Sequence, residues 1–218
     1  MKRLGFIAAI LCLIAATPPK SNTLTLKQPV VLKHTNYTST YSTDLHYPIV
    51  VEWWETKAKV ECANKLARKD NFAPDPLLPK ETDLGKDYAG SGFDRGHMCP
   101  TAVNLCQGPA VQDECFYFSN MSAQYGSLNR GDWKSLETLT RTTAAITDSI
   151  HVWCGNVGVA KKIGSTSVPV QCWKVYYVKK TNKWHAFLFN NTPDKSDGIE
   201  NNIVDVKVIE KLTGLTFK

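Results

Sequence analysis

The sequence predicts an α+β fold, and three observations carry that reading. Short apolar runs of strand length, Ile49–Trp54 and Ile150–Gly155, occur beside segments with helical spacing. Val170–Lys179 and Lys183–Asn190 flank Thr181-Asn182 and alternate apolar with polar residues in part, the pattern of an antiparallel hairpin. Strands and helices are mixed without the strand–helix–strand rhythm of a parallel sheet.

Taken from the start, residues 1–16 read as a secretory signal. Lys2 and Arg3 precede an apolar run, Leu4–Ala16, that ends in small residues. The run is shorter than the ~20 apolar residues of a membrane span. No other segment is apolar enough to cross a bilayer, so a soluble, secreted or periplasmic protein is expected. Residues 17–43, rich in Thr, Ser and Pro, read as a loose N-terminal arm. Residues 44–218 then form one domain, long enough for its own core.

Within that domain, Ile49–Trp54 is a strand and Val60–Arg68 a short helix. Asn71–Pro79 is rich in proline and must be an extended loop, and Gly85–Gly92 is a second loop. Cys115–Ser119 is short, aromatic and strand-like. In Asp132–Arg141 and just beyond, Trp133, Leu136, Leu139 and Ile146 can share one helical face. After the Ile150–Gly155 strand and the hairpin, Ile203–Leu212 reads as a closing helix.

The net charge is +6, and loss of Lys2 and Arg3 with the leader leaves +4. This modest balance suits an acidic polymer without requiring one. Of seven cysteines, Cys12 lies in the leader. The other six in an exported chain point to disulfides, and sequence alone cannot choose the pairing. The preferred pairs are Cys154–Cys172 on neighbouring strands, Cys106–Cys115 closing a short loop, and Cys62–Cys99. The absence of any Cys-x-x-Cys pair counts against a zinc site.

Two strings carry chemistry: Gly92-Phe93-Asp94-Arg95-Gly96-His97-Met98 and Asn129-Arg130-Gly131-Asp132-Trp133-Lys134-Ser135-Leu136-Glu137. Phosphodiester hydrolysis must deprotonate water, neutralise charge on the phosphorus centre and stabilise the leaving oxygen. His97 titrates near neutral pH when unperturbed, which suits a general base. A lone histidine is more often structural, but here Asp94 can orient neighbours, Arg95 adds a fixed charge and Gly96 allows close backbone approach. Asn129 offers a hard oxygen to a cation such as Mg²⁺, which keeps most of its waters; its bland role is a helix cap. Asn129, Trp133, Glu137 and Arg141 recur every four residues, one helical face, with Trp133 inward. Glu137 and Arg141 otherwise form only a surface pair worth a few tenths of a kcal/mol.

These strings, with Tyr117-Phe118-Ser119-Asn120-Met121-Ser122-Ala123-Gln124 between them, resemble the active site of the non-specific DNA/RNA endonucleases. The resemblance covers Asn71–Phe189. Ala123-Gln124 and Gly155-Asn156 are mild departures from the family pattern. It implies a central antiparallel sheet flanked by helices, with a ββα active-site unit around one metal ion. It further implies a secreted, Mg²⁺-dependent endonuclease, with Mn²⁺ as a substitute, that cuts DNA and RNA with little sequence preference and leaves 5′-phosphates. By the same resemblance His97 is the base, Asn129 the metal ligand and Glu137 the partner that positions water on the metal. Arg95 and Arg141 act on phosphate. Arg68, in Arg68-Lys69-Asp70-Asn71-Phe72, and Asn120 are the substrate-side candidates, Asn120 acting through hydrogen bonds. A homodimer is left open. The alternatives are a phosphodiesterase on small or lipid phosphates with the same site, an inactive nucleic-acid-binding module, or a disulfide-stapled structural protein.

Overall fold

The computed structural model describes residues 27–63 and 67–218; the leader expected over residues 1–16 lies outside them. Three strands come first: β1 (Val30–Lys33), β2 (Tyr37–Ser42) and β3 (Tyr47–Thr56). Helices α1 (Lys57–Ala63) and α2 (Gly85–Tyr88) precede β4 (Asp94–His97). Then come α3 (Pro109–Glu114), β5 (Met121–Gln124), the single turn α4 (Gly126–Leu128) and the long helix α5 (Lys134–Thr147). The chain continues through β6 (Ser149–Val157), β7 (Lys161–Ile163), β8 (Thr166–Val168), β9 (Gln171–Val178) and β10 (Lys183–Asn190). It ends with β11 (Ile203–Val204) and α6 (Val206–Thr213).

Seven strands form one antiparallel sheet in the order β1-β2-β3-β6-β9-β10-β11. Alternation along each strand builds two apolar layers, because successive side chains point to opposite faces. One layer packs Val51, Trp53, Val152, Cys154, Tyr176 and Phe187 under Trp133, Leu136 and Ala144 of the α5 region. The other packs Trp153, Trp173, Val175 and Ala186 under Ile209 of α6. Helix α6 is fixed at both ends: the Asp205 carboxylate accepts from the Lys207 N–H at 2.8 Å, and Gly214 closes the helix at φ 74°. A third cluster, with Tyr88, Phe93, Phe118 and Val168, supports the separate β4-β5 and β7-β8 pairs.

The antiparallel sheet, the β9–β10 hairpin with left-handed Asn182 and the flanking helices agree with the sequence expectation. Several local readings need correction. Residues 30–42, expected inside a loose arm, pair as β1 and β2. Gly85–Gly92 contains the turn α2. Cys115–Ser119 is not a strand: Phe118–Asn120 is a 3-10 turn, and pairing begins at Met121. Here side chains satisfy the polar groups in place of a ladder, with Ser119 donating to Asp75 and Asn120 bonding the backbone of Cys99 and Cys115. Ile146 is 69 % exposed, and Thr140 and Ala144 bury the last turns of α5 instead. The closing segment starts as β11 and becomes helical only at Val206.

The expected disulfide pairing is also overturned. Cys62 bonds Cys106, with Cα atoms 5.8 Å apart, and Cys99, Cys115, Cys154 and Cys172 are buried free thiols. Cys154 and Cys172 lie on adjacent strands, but Cys154 opposes Lys174 and Cys172 opposes Asn156. Such diagonal neighbours sit ~7–8 Å apart at Cα, beyond the reach of ~7 Å that a disulfide spans. Unreduced protein should therefore weigh two hydrogens less than reduced protein, measurable by intact mass spectrometry, and not the six that three bridges would remove. Cys62 and Cys106 are 44 residues apart. Replacing both with serine should destabilise the fold by about 2–4 kcal/mol, read from denaturant unfolding.

Candidate active site

The site is a β-strand, β-strand, helix unit. Strands β4 and β5 pair antiparallel, with Asp94 opposite Gln124 and His97 opposite Met121. Alternation sends Arg95 and His97 to one face and Asp94 and Gly96 to the other. Gly96 makes room here: a Cβ would come within 2.1 Å of the Gln124 side-chain oxygen, so any larger residue would displace that buried side chain from its place across β4.

From β5 the chain turns through α4 into a π-helical turn, Asn129–Trp133, with non-helical Gly131, and then into α5. Asn129 is therefore no N-cap. Its amide Nδ2 donates to Asp94 Oδ2 at 3.0 Å, and Arg130 meets the other oxygen at 3.3 Å. At the far end of β4, the Trp133 indole N–H donates to the His97 carbonyl at 3.0 Å. The segment leading into α5 and β4 are thus tied at both ends of this four-residue strand.

These ties close a cavity of about 450 Å³. His97, Asn129 and Glu137 line it, and so do Arg68, Arg95 and Arg141. The structure brings together every sequence-predicted site residue except Asn120. Asn120 is fully buried, its Nδ2 donates to the carbonyls of Cys99 and Cys115, and its Oδ1 accepts from the Cys99 N–H. With that amide committed to the backbone, Asn120 is a structural tie and not a substrate contact. Arg130 and Lys134 also line the cavity and were not anticipated. Lys134 had a readable signal: it precedes Glu137 by three residues and Arg141 by seven, the spacing of one helical face. A second cavity of about 400 Å³, with Phe72, Tyr88 and Phe93 in its wall, adjoins the first and shares Arg95 and Asn129.

The electrostatics are one-sided, with five cationic side chains around one carboxylate. His97 is 8 % exposed and its ring stands edge-on to Phe116, centroids 5.1 Å apart. Its Nε2 is buried with no hydrogen-bond partner. Burial pushes its pKa down to about 3, and Arg68 and Arg95 add to that effect. The imidazole is therefore neutral near pH 7, with a ring nitrogen unengaged by protein. Burial raises the Glu137 carboxyl, while Lys174, Arg141, Arg68 and Lys134 pull it back. Arg95 is braced against the Phe72 ring at 3.9 Å and Arg68 against Asp70 at 2.6 Å, so both guanidinium groups are held near the cavity.

Residues 17–218 match the family model described as DNA/RNA non-specific endonuclease. Nuclease C1 of Cunninghamella echinulata var. echinulata is 34 % identical over 166 residues, covering 67 % of this chain and 65 % of that protein. A nuclease of Nostoc sp. is 27 % identical over 222 aligned positions, 93 % of this chain and 76 % of that one. Mitochondrial endonuclease G of Bos taurus is 28 % identical over 149 residues, 60 % of this chain and 50 % of its own. The chain thus spans from half to about two thirds of the length of several curated relatives. A chain in the crystal structure of an EndoG/EndoGI complex superposes with a TM-score of 0.69 at 24 % identity, covering 86 % of this chain and 84 % of that one, and so shares the fold. The chain belongs to the DNA/RNA non-specific endonuclease family.

Proposed function

We propose that this protein is an exported endonuclease that hydrolyses internal phosphodiester bonds of DNA and RNA with little sequence preference and leaves 5′-phosphates. The observation that carries this reading is the single cavity that gathers a neutral His97 imidazole, five cations and one carboxylate. Export rests on the Lys2-Arg3 and Leu4–Ala16 leader.

In this reading the neutral His97 imidazole takes a proton from water, and the water oxygen attacks phosphorus. The bond to the 3′-oxygen breaks, and that oxygen leaves with a proton from solvent. Arg95, Arg141 and Arg68 offset the charge on the phosphate oxygens, which is greatest in the transition state. An anionic phosphate beside His97 also counters the two arginines that depress its basicity. Glu137 accepts a hydrogen bond from water on the helix side and orients it.

Asn129 fits a hard divalent cation. Its amide nitrogen is committed to Asp94, which leaves the carbonyl oxygen as the free acceptor on a cavity-lining residue. No group of three His, Cys, Asp or Glu able to hold a metal exists among the described residues. An ion here would keep most of its waters, as Mg²⁺ or Mn²⁺ does. When bound, it would supply Lewis-acid neutralisation of charge on the reacting phosphate.

The direct test is nicking of supercoiled plasmid and cleavage of a long RNA, each with and without EDTA. Failure to cut either polymer in Mg²⁺ would overturn the reading. Arg95→Ala is expected to lower cleavage by about 10²-fold, the cost of one lost charge-stabilising donor. Arg141→Ala should also lower it. Neither should alter sequence preference, because phosphate contacts are blind to base identity. Both losses should appear on DNA and RNA substrates of several sequences, and wild-type activity should fall with rising salt. Loss confined to one base step would instead show base readout.

A further inference from the structure

Beneath the active-site helix the sheet carries a charge that the hydrolytic scheme has not used. Lys174, in the middle of β9, is fully buried and its ammonium has no hydrogen-bond acceptor. It lies 4.2 Å from the ring centroid of Trp133 and 5.8 Å from that of Trp53. On the same face of β3, Glu55 is 1 % exposed, and neither of its oxygens makes a well-formed hydrogen bond. Thr140, whose hydroxyl adjoins Glu55, donates instead to the Glu137 carbonyl at 3.0 Å.

Lysine is almost never fully buried without a partner, since an uncompensated ion in the interior costs several kcal/mol. Two indole faces offset part of that cost. The remainder must come from carboxylates placed around the same indoles: Glu55, two residues beyond Trp53 on the same face of β3, and Glu137, one helical turn beyond Trp133, both of which respond to the Lys174 charge. We infer that Lys174 is a positioning residue for the hydrolytic site: a cation clamped beneath Trp133 that supplies Glu137 with a counter-charge from inside the sheet. This rests on the proposed hydrolytic role of Glu137.

The placement has a logic that the cavity arginines cannot reproduce. Arg68, Arg141 and Lys134 face the cavity, where a bound phosphate consumes their charge. Lys174 does not line that cavity and cannot be neutralised by substrate. Among charges acting on Glu137, Lys174 comes from the sheet, Lys134 and Arg141 from its own helix, and Arg68 from the segment after α1. Glu55 acts from β3 in the opposite sense, and Cys154 of β6 adjoins the same charges. When phosphate arrives and offsets the solvent-side cations, Lys174 still holds Glu137 as a hydrogen-bond acceptor. Through the Trp133 ring the same ammonium also packs beneath the indole that bonds the His97 carbonyl.

The test uses Lys174→Met and Glu55→Gln in the full chain. Lys174→Met should leave KM for DNA within about twofold of wild type, because Lys174 touches no substrate. The acid limb of its kcat profile should move up by about one pH unit, the loss of one favourable charge interaction of about 1.4 kcal/mol. Turnover on that limb should then fall about tenfold and recover at higher pH. In metal-free, substrate-free protein labelled with carboxyl carbon-13 glutamate, the Glu137 resonance, assigned by its loss in Glu137→Gln, should titrate at correspondingly higher pH. Glu55→Gln should leave both at or below the wild-type position. A Lys174→Met protein whose Glu137 titration and pH profile match wild type would overturn the inference and leave Lys174 a packing residue. If Lys174→Met fails to fold, Lys174→Met with Glu55→Gln, which removes both buried charges, goes through the same titration against Glu55→Gln alone, and a Glu137 that titrates no higher than in Glu55→Gln overturns the inference. Should even the wild type cleave no nucleic acid, the hydrolase reading falls, and the titration still decides the role of Lys174.

Discussion

His97→Ala is expected to lower turnover by about 10²–10⁴-fold, the usual cost of losing a general base, while the fold survives. No other imidazole lines the cavity, and the His97 carbonyl that anchors Trp133 belongs to the backbone, which the substitution keeps. The pH dependence sharpens the test. The working form is the neutral ring, and its pKa is pushed down to about 3. The kcat/KM profile should therefore show no step near 6.5, the value for an unperturbed histidine, and its acid limb should report the raised carboxyl of Glu137 instead. Stability supplies an independent sign. Between pH 6.5 and about 3 the unfolded chain binds a proton at His97 that the folded chain refuses, so wild type loses stability as pH falls through that window. His97→Ala should be spared that part of the loss, visible as a flatter dependence of melting temperature on pH. A folded His97→Ala protein with unchanged turnover would remove His97 from the mechanism.

Chelation is expected to have the second large effect. Exhaustive EDTA treatment should abolish cleavage, and Mg²⁺ or Mn²⁺ should restore it. Lewis-acid neutralisation contributes several kcal/mol of transition-state stabilisation, and about 4 kcal/mol corresponds to ~10³-fold in rate. Asn129→Ala should reproduce the loss without EDTA and respond only weakly to added metal. It also deletes one of the two donors to Asp94, so Asn129→Asp is the better companion: it keeps an oxygen and forfeits the amide donor. Isothermal titration of Mg²⁺ into both variants separates ligation from scaffolding. If Asn129→Ala binds Mg²⁺ as wild type does, Asn129 is a bracket for Asp94 and not a ligand.

The parts of the site carried by local strings are legible in the sequence itself. Asp94 to His97 sit on one short strand, and Glu137 and Arg141 keep helical spacing after Asn129, so adjacency in sequence nearly equals adjacency in space. The π-turn between Asn129 and Trp133 departs from that regular spacing, yet all three lining residues still reach one cavity. What sequence could not show was set by distant contacts. Lys174 alternates with apolar neighbours and reads as the polar face of a hairpin strand, and only packing under Trp133 makes that face interior. Asn120 reads as a site residue because it lies between the two motifs, but its amide replaces missing ladder bonds at the end of β5. The Cys62–Cys106 bridge joins α1 to a 3-10 turn that no periodicity announces.

That bridge has a consequence for where the chain can work. The loop it closes holds Arg68, Arg95 and His97 between its two cysteines. In a reducing compartment it opens, and the unfolded ensemble that competes with the folded site grows in that same stretch of chain. Formation of the bridge in an oxidising compartment would then strengthen β4 and the cavity-lining Arg68 together. Under the proposed export, the more weakly held form of the site would be the one that sits beside the producing cell's own nucleic acid.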